Sequence, residues 1–189
     1  MQITAESLPS GRIAAMATFS LPAHPLTDDV VSLRPWTRAD LPAIDAATRD
    51  PEIVRRNRLP QPFDVAAWFD ESNGEQERGE SLKLLIVDPT DDRFLGSLSL
   101  WTYDGDPSSA EIGLWTVAEE RGRGIGGRAV RLVTDWALAH LPLERIVGRT
   151  DPDNVASRTV MERLGFELIG PVGDQLAYQL PSLDGRPPE

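Results

Sequence analysis

The chain has 189 residues, 30 acidic against 19 basic side chains, and a formal net charge of -11. That length fits one domain with tails, the acidity argues against a dedicated nucleic-acid binder, and no apolar run approaches the ~20 residues of a membrane span. Cysteine is absent and only two histidines occur, His24 and His140, so disulfides, thiolate nucleophiles, zinc–cysteine sites and a multi-histidine metal centre are all excluded.

Residues 1–29 read as an irregular N-terminal extension, broken by Pro9, Gly11, Pro22 and Pro25. They lack the positive start and apolar stretch of a signal peptide. Residues 1–15 read as a tail before a natural start at Met16, and residues 182–189 as a C-terminal tail. Val30–Arg34 predicts a strand that Pro35 ends. Thr37 then caps a helix bearing Leu41, Ile44 and Ala47, and Asp64 caps a second bearing Ala67, Trp68 and Glu71. Three successive strands follow, Ser81–Asp88, Phe94–Tyr103 and Ala110–Val117, whose short turns predict an antiparallel meander.

The period then changes. Ile125, Ala129, Leu132, Val133, Trp136, Ala137 and His140 form one apolar helix face. Leu143–Gly148 is a strand, and Asn154 caps a short helix that ends at Gly165. Phe166–Gly170 and Gln175–Leu180 form a closing hairpin. The fold class is thus mixed α/β (α+β), a largely antiparallel twisted sheet of about seven strands flanked by about four helices. One domain spans 30–181.

The charge is uneven. Residues 59–106 carry 11 acids and 3 bases, whereas 107–165 are balanced. The basic residues are 18 arginines and one lysine, Lys83. Arg121, Arg123, Arg128 and Arg131 crowd into the balanced block. They suggest an anion site, or surface arginines paired with Glu119, Glu120 and Asp135. Within them Gly122, Gly124, Gly126 and Gly127 sit between a strand and a helix. Glycines let backbone N–H groups approach a ligand, and a helix start adds free donors and partial positive charge. The segment predicts a phosphate cradle. Gly122, Gly124 and Gly127 match G-x-G-x-x-G, but a dinucleotide site needs a βαβ start and an acid ending the next strand, and Glu144 begins it instead.

The spacing Arg121-x-x-Gly124-x-Gly126 resembles the acyl-CoA signature of the GNAT N-acetyltransferase superfamily. Glu111–Val117 resembles that family's central strand, and Asp153–Phe166, with Asn154, Ser157 and a Leu-Gly-Phe end, its following motif. Ser32–Trp36 with Asp40 and Leu41 is similar to the ribosomal-protein N-terminal (Rim-type) branch.

The resemblance implies an acetyl-CoA-dependent enzyme, without a metal, that passes acetyl directly to a primary amine. It implies that Arg121, Gly122, Arg123, Gly124, Ile125, Gly126 and Gly127 bind the CoA pyrophosphate. Trp115, Thr116 and Val117 would line the pantetheine, with the Val117 N–H donating to the thioester oxygen. Asn154 and Ser157 would contact the same arm. Glu111 is the candidate base, or a structural partner across the sheet. Ser157 and Tyr178 are rival proton donors, and the residue chemistry of Tyr178 favours packing over that role.

The acidic block lies where acceptors enter in that family. It favours a cationic amine: a peptide N-terminus, a polyamine or an aminoglycoside. No nucleic-acid or membrane partner is expected, and the protein reads as a cytoplasmic monomer or homodimer. The alternatives are a non-catalytic acyl-CoA-binding module, indifferent to Glu111, and an antibiotic acetyltransferase of the aminoglycoside type.

Overall fold

A computed structural model describes residues 18–182. The tails expected at 1–15 and beyond 182 lie outside the described residues. The strands are β1 (Leu26–Thr27), β2 (Ser32–Pro35), β3 (Ser81–Val87), β4 (Phe94–Tyr103), β5 (Asp106–Thr116), β6 (Arg145–Thr150), β7 (Glu167–Val172) and β8 (Gln175–Pro181). The helices are α1 (Leu41–Ala47), α2 (Pro51–Asn57), α3 (Val65–Glu77), α4 (Ile125–His140) and α5 (Val155–Arg163). No helix among the described residues is long and apolar enough to cross a membrane.

All eight strands form one sheet in the order β1-β2-β3-β4-β5-β6-β8-β7. The meander from β2 to β5 is antiparallel, as its short turns predict. The β5–β6 pair is parallel, because α4 carries the chain back across the sheet between them. Helices cover both faces. Ile125, Ala129, Val133 and Ala137 of α4 pack with Leu84, Leu98 and Ile112 in the larger core, which also takes Met161 of α5. On the other face Ile44 of α1 and Phe69 of α3 pack with Trp36, Leu85 and Val87. Successive strand residues therefore look to opposite layers.

Two elements depart from the expected pattern. Residues 18–29, expected to be irregular, bury Phe19 and contribute β1 to the sheet edge. The helix α2 also has no counterpart in the sequence reading. It has one buried residue, Ile53, so it offers no apolar period. Its signal is the start: Asp50 accepts from the Glu52 N–H, and Pro51 occupies the first turn. Thr37 caps a 3-10 turn (Arg38–Asp40) leading into α1, and Asp64 caps α3 through the N–H groups of Ala66 and Ala67.

The acids of residues 59–106 are largely committed to arginines and to Lys83. Asp92 bonds Arg34, Asp70 bonds Arg38, Glu80 bonds Arg78 and Asp106 contacts Arg145. Lys83 pairs with Glu75 at 3.3 Å, lies 5.5 Å from the Trp68 ring centroid, and leaves only 16% of its side chain exposed.

Candidate active site

The site begins with a separation of two strands. Parallel pairing of β5 with β6 runs from Ser109↔Arg145 to Ile112↔Gly148 and stops. Beyond that point β5 follows β4 to Thr116, while β6 follows β8 to Thr150. Gly113–Thr116 thus have no strand on their outer side. The closed end of this wedge is fixed by Asp106, which accepts from the hydroxyls of Ser108 and Ser109 at 2.7 and 2.6 Å, and by Arg145, which bonds the Ser109 hydroxyl at 2.7 Å. The serine hydroxyls and the Ser108 N–H hold the Asp106 carboxyl below its usual 3.8, at about 2.

Which backbone groups face the wedge follows from one bond. The Val117 N–H donates to the Leu95 carbonyl at 2.9 Å. It therefore points toward β4 and is not free to meet a thioester oxygen, contrary to the expectation from the sequence. By the alternation of an antiparallel ladder, Trp115 and Gly113 also turn their N–H groups to β4, and Leu114 and Thr116 turn theirs into the wedge.

A cavity of about 290 Å³ opens there. Its floor is Glu111–Leu114 with Gly148–Asp151, and α5 contributes Asn154, Ser157 and Met161. Trp101 and the end of α2 (Arg56, Asn57, Arg58) also line it. Asn154 caps α5 by accepting from the Ser157 N–H at 3.2 Å, so the same residue shapes the cavity wall and starts the helix that brings Ser157 to it.

Glu111 is 6% exposed, and Arg149 holds both its oxygens, Nε to Oε1 at 2.7 Å and Nη2 to Oε2 at 2.8 Å. That contact raises the Arg149 pKa above its ordinary value. The sequence reading offered a structural partner for Glu111 without naming one. Nothing in the local sequence joins 111 to 149; the parallel register does.

Tyr178 is not brought into this group. It is 1% exposed, accepts from Arg158 Nε at 3.2 Å and donates to Glu162 at 3.4 Å. Arg158 and Glu162 lie on the stripe of α5 beside the one carrying Ser157 and Met161, and Tyr178 is absent from the cavity lining.

The glycine loop adjoins the wedge at Leu114, whose Cδ1 lies 3.2 Å from where a Cβ on Gly126 would stand. Gly122 and Gly124 have φ of 73° and 81°, and a Cβ on either would meet nothing within 4 Å. The first helical bond of α4 runs from the Arg128 N–H to the Gly124 carbonyl, which leaves the N–H groups of Ile125, Gly126 and Gly127 without helical partners. Open space over left-handed glycines beside free donors fits a pyrophosphate.

Three of the four clustered arginines are already engaged. Arg121 meets Asp50 at 2.5 Å, Arg123 meets Glu120 at 2.9 Å and Arg128 meets Asp28 at 2.9 Å. Of the acids expected to partner them, only Glu120 does. Glu120 is 5% exposed; Arg93, at 2.6 Å, and Arg123 hold its pKa below the ordinary value.

The acidic acceptor lining expected from residues 59–106 is not found. Only Trp101 from that stretch lines the cavity, and the charged lining is Arg56, Arg58 and Arg149 against Glu111 and Asp151. Arg56, Arg58, Arg149 and Asp151 were missed in the sequence, because their neighbours there carry no motif.

Comparison with known proteins shows the family and the fold. The family model described as an acetyltransferase (GNAT) domain matches residues 31–167, and the chain belongs to that family. It is 37% identical over 95 residues to the probable N-acetyltransferase YjcK of Bacillus subtilis, an alignment covering 50% of this chain and 52% of YjcK. The chain therefore spans about half the length of that relative. Among solved structures it resembles Mycobacterium smegmatis RimJ in complex with CoA-disulfide, with 25% identity, a TM-score of 0.71, and coverage of 87% of this chain and 88% of that one. An acetyltransferase from Agrobacterium tumefaciens gives 24% identity and a TM-score of 0.70 over 86% of this chain and 95% of its own.

Proposed function

We propose that this chain, as one domain over residues 30–181 onto which residues 18–29 pack, transfers acetyl from acetyl-CoA to a primary amine on a peptide N-terminus or small molecule. The observation that carries the reading is the wedge between β5 and β6 opening beside a glycine-rich helix start.

Bound acetyl-CoA supplies a thioester whose carbonyl carbon a neutral amine can attack. The N–H groups from Gly122 to Gly127 hold the pyrophosphate, and Arg121 and Arg123 add charge-assisted contacts on leaving their acidic partners. Leu114 and Thr116 offer their free backbone groups to the pantetheine as an added strand, and one of these N–H groups polarises the thioester oxygen. Trp115, which packs on Phe94, braces this edge.

Glu111 receives the amine proton through a water. A carboxylate has about four lone-pair sites, and Arg149 occupies two. The Ser157 hydroxyl gives a proton to the leaving thiolate and regains one through water as Glu111 gives up the amine proton, and Asn154 fixes the turn that aims Ser157. A second reading, an acyl-CoA-binding module without catalysis, is favoured by one observation: both Glu111 oxygens are bound by Arg149.

Thermal unfolding tests the cofactor. Acetyl-CoA should raise the melting temperature and NAD should not, by mass action on the folded state. Acetyl transfer is read as released CoA thiol, a clean signal because the chain has no cysteine. Protection without CoA release over a broad amine panel would leave only the binding module.

A further inference from the structure

Among the cations lining the cavity, one is weakly held. Arg56 keeps only 18% of its side chain exposed and is shared between Glu52, Asp151 and Asp153. Arg149 is fixed by a buried carboxylate. Arg58 is 56% exposed and makes one contact, Nη2 to Asp174 Oδ2 at 2.6 Å, and Asp174 is itself 78% exposed in the β7–β8 turn. Such a surface pair contributes little and exchanges easily.

The backbone at Arg58 adds a second observation. It terminates α2 with φ 52° and ψ 38°, in the left-handed region. Glycine occupies that position at helix ends with least strain, and a residue with a side chain is strained there. The chain thus carries a strained arginine at the cavity rim, where a glycine would end the helix more cheaply. The lining also holds three guanidinium groups against two carboxylates.

Resting on the acetyl-transfer reading, we propose that Arg58 recognises an anionic group carried by the acceptor close to its amine, exchanging Asp174 for that group. The acceptor class is then an amine bearing a nearby carboxylate, with an acidic residue next to a peptide N-terminus as the form that suits an open rim. This reverses the cationic acceptor suggested by overall charge.

The test uses the full chain with matched peptides whose second residue is Asp, Ala or Arg, and a small aminocarboxylate as a separate arm. The Asp peptide should exceed the Arg peptide in kcat/KM by about tenfold, the size of one charge-assisted contact. Arg58→Gly should raise KM for the Asp peptide by about tenfold and collapse the preference, with kcat less affected and the melting temperature not lowered, since glycine relieves the strain. Asp174→Asn should lower that KM, because the competing carboxylate is gone. A structural strap predicts instead that both variants shift KM in the same direction; that result, or equal rates across the charge series, overturns the proposal. Preference for the aminocarboxylate over the peptides keeps the Arg58 contact and assigns a small acceptor. Failure of the acetyl-transfer reading looks different: no CoA release with any acceptor, which removes both.

Discussion

Arg149 grips both carboxylate oxygens of Glu111 one residue beyond the last rung joining β5 to β6. The pair therefore stands at the apex of the wedge, where the proposed transfer would need its base, and it also braces the sheet there. Glu111→Gln should lower kcat by about 100-fold, the usual scale for loss of a general base. Arg149→Met should destabilise the fold by about 1–3 kcal/mol, discounted because the arginine is about one-third exposed. Urea midpoints and kcat measured together separate the two roles. An unchanged kcat in the glutamine variant would show that Glu111 only braces.

Asp50 joins the start of α2 to the glycine loop through Arg121. An anion arriving at the glycines must draw Arg121 away. Asn caps helices as well as Asp, so Asp50→Asn should leave stability nearly unchanged and tighten acetyl-CoA binding by about threefold through the freed arginine. Calorimetric titration reads this. Weaker binding would mean that Asp50 orients Arg121 for the phosphate.

Ser157 and Tyr178 were rival candidates in the sequence, Tyr178 with packing as its other role, and they are unequal in space. Ser157→Ala should lower kcat by about tenfold at saturating acetyl-CoA. Tyr178→Phe should keep kcat within about twofold and cost about 1 kcal/mol of stability, from its lost bonds to Arg158 and Glu162. The opposite pattern would move the acid to Tyr178.

Asp106 predicts an acid-range effect. Its folded pKa, about 2, lies below the ordinary 3.8, so its contribution is complete above about pH 4 and disappears as pH falls through about 2. The stability gap between wild type and Asp106→Asn should be level above pH 4 and close between pH 4 and 2. Urea midpoints across that range check it. A gap that widened on acidification would contradict the serine-bound carboxylate.

Strong local signals were legible. The apolar stripe from Ile125 to His140 matches α4 end to end, and Phe94–Tyr103 matches β4. Asn154 and Asp64 cap as their side-chain chemistry dictates. Less was legible where tertiary contacts decide. β1 has two residues and forms only because β2 lies beside it. β6 begins at Arg145, later than the apolar run suggested, because its register is set by β8. Val117 looked like a free donor until the β4 register claimed it. Glu111 and Arg149 are 38 positions apart; no local pattern encodes such a pair. The acidity of residues 59–106 did not reveal where those acids sit: none lines the cavity, and Asp70, Asp92 and Asp106 meet arginines from distant segments.

The solitary Lys83, clasped by Glu75 and lying over Trp68, has a chemical consequence. Thioesters acylate exposed lysines without any enzyme, and a protein built to hold one is the first at risk. Here the side-chain nucleophile is reduced to one ammonium group, sequestered in an ion pair, while arginine carries nearly all the positive charge in a form that resists acylation. On the acetyl-transfer reading, the chain is thereby a poor substrate for its own reagent. For the same reason, amine-directed labels or surface coupling through its side chains would have to break the Lys83–Glu75 contact first.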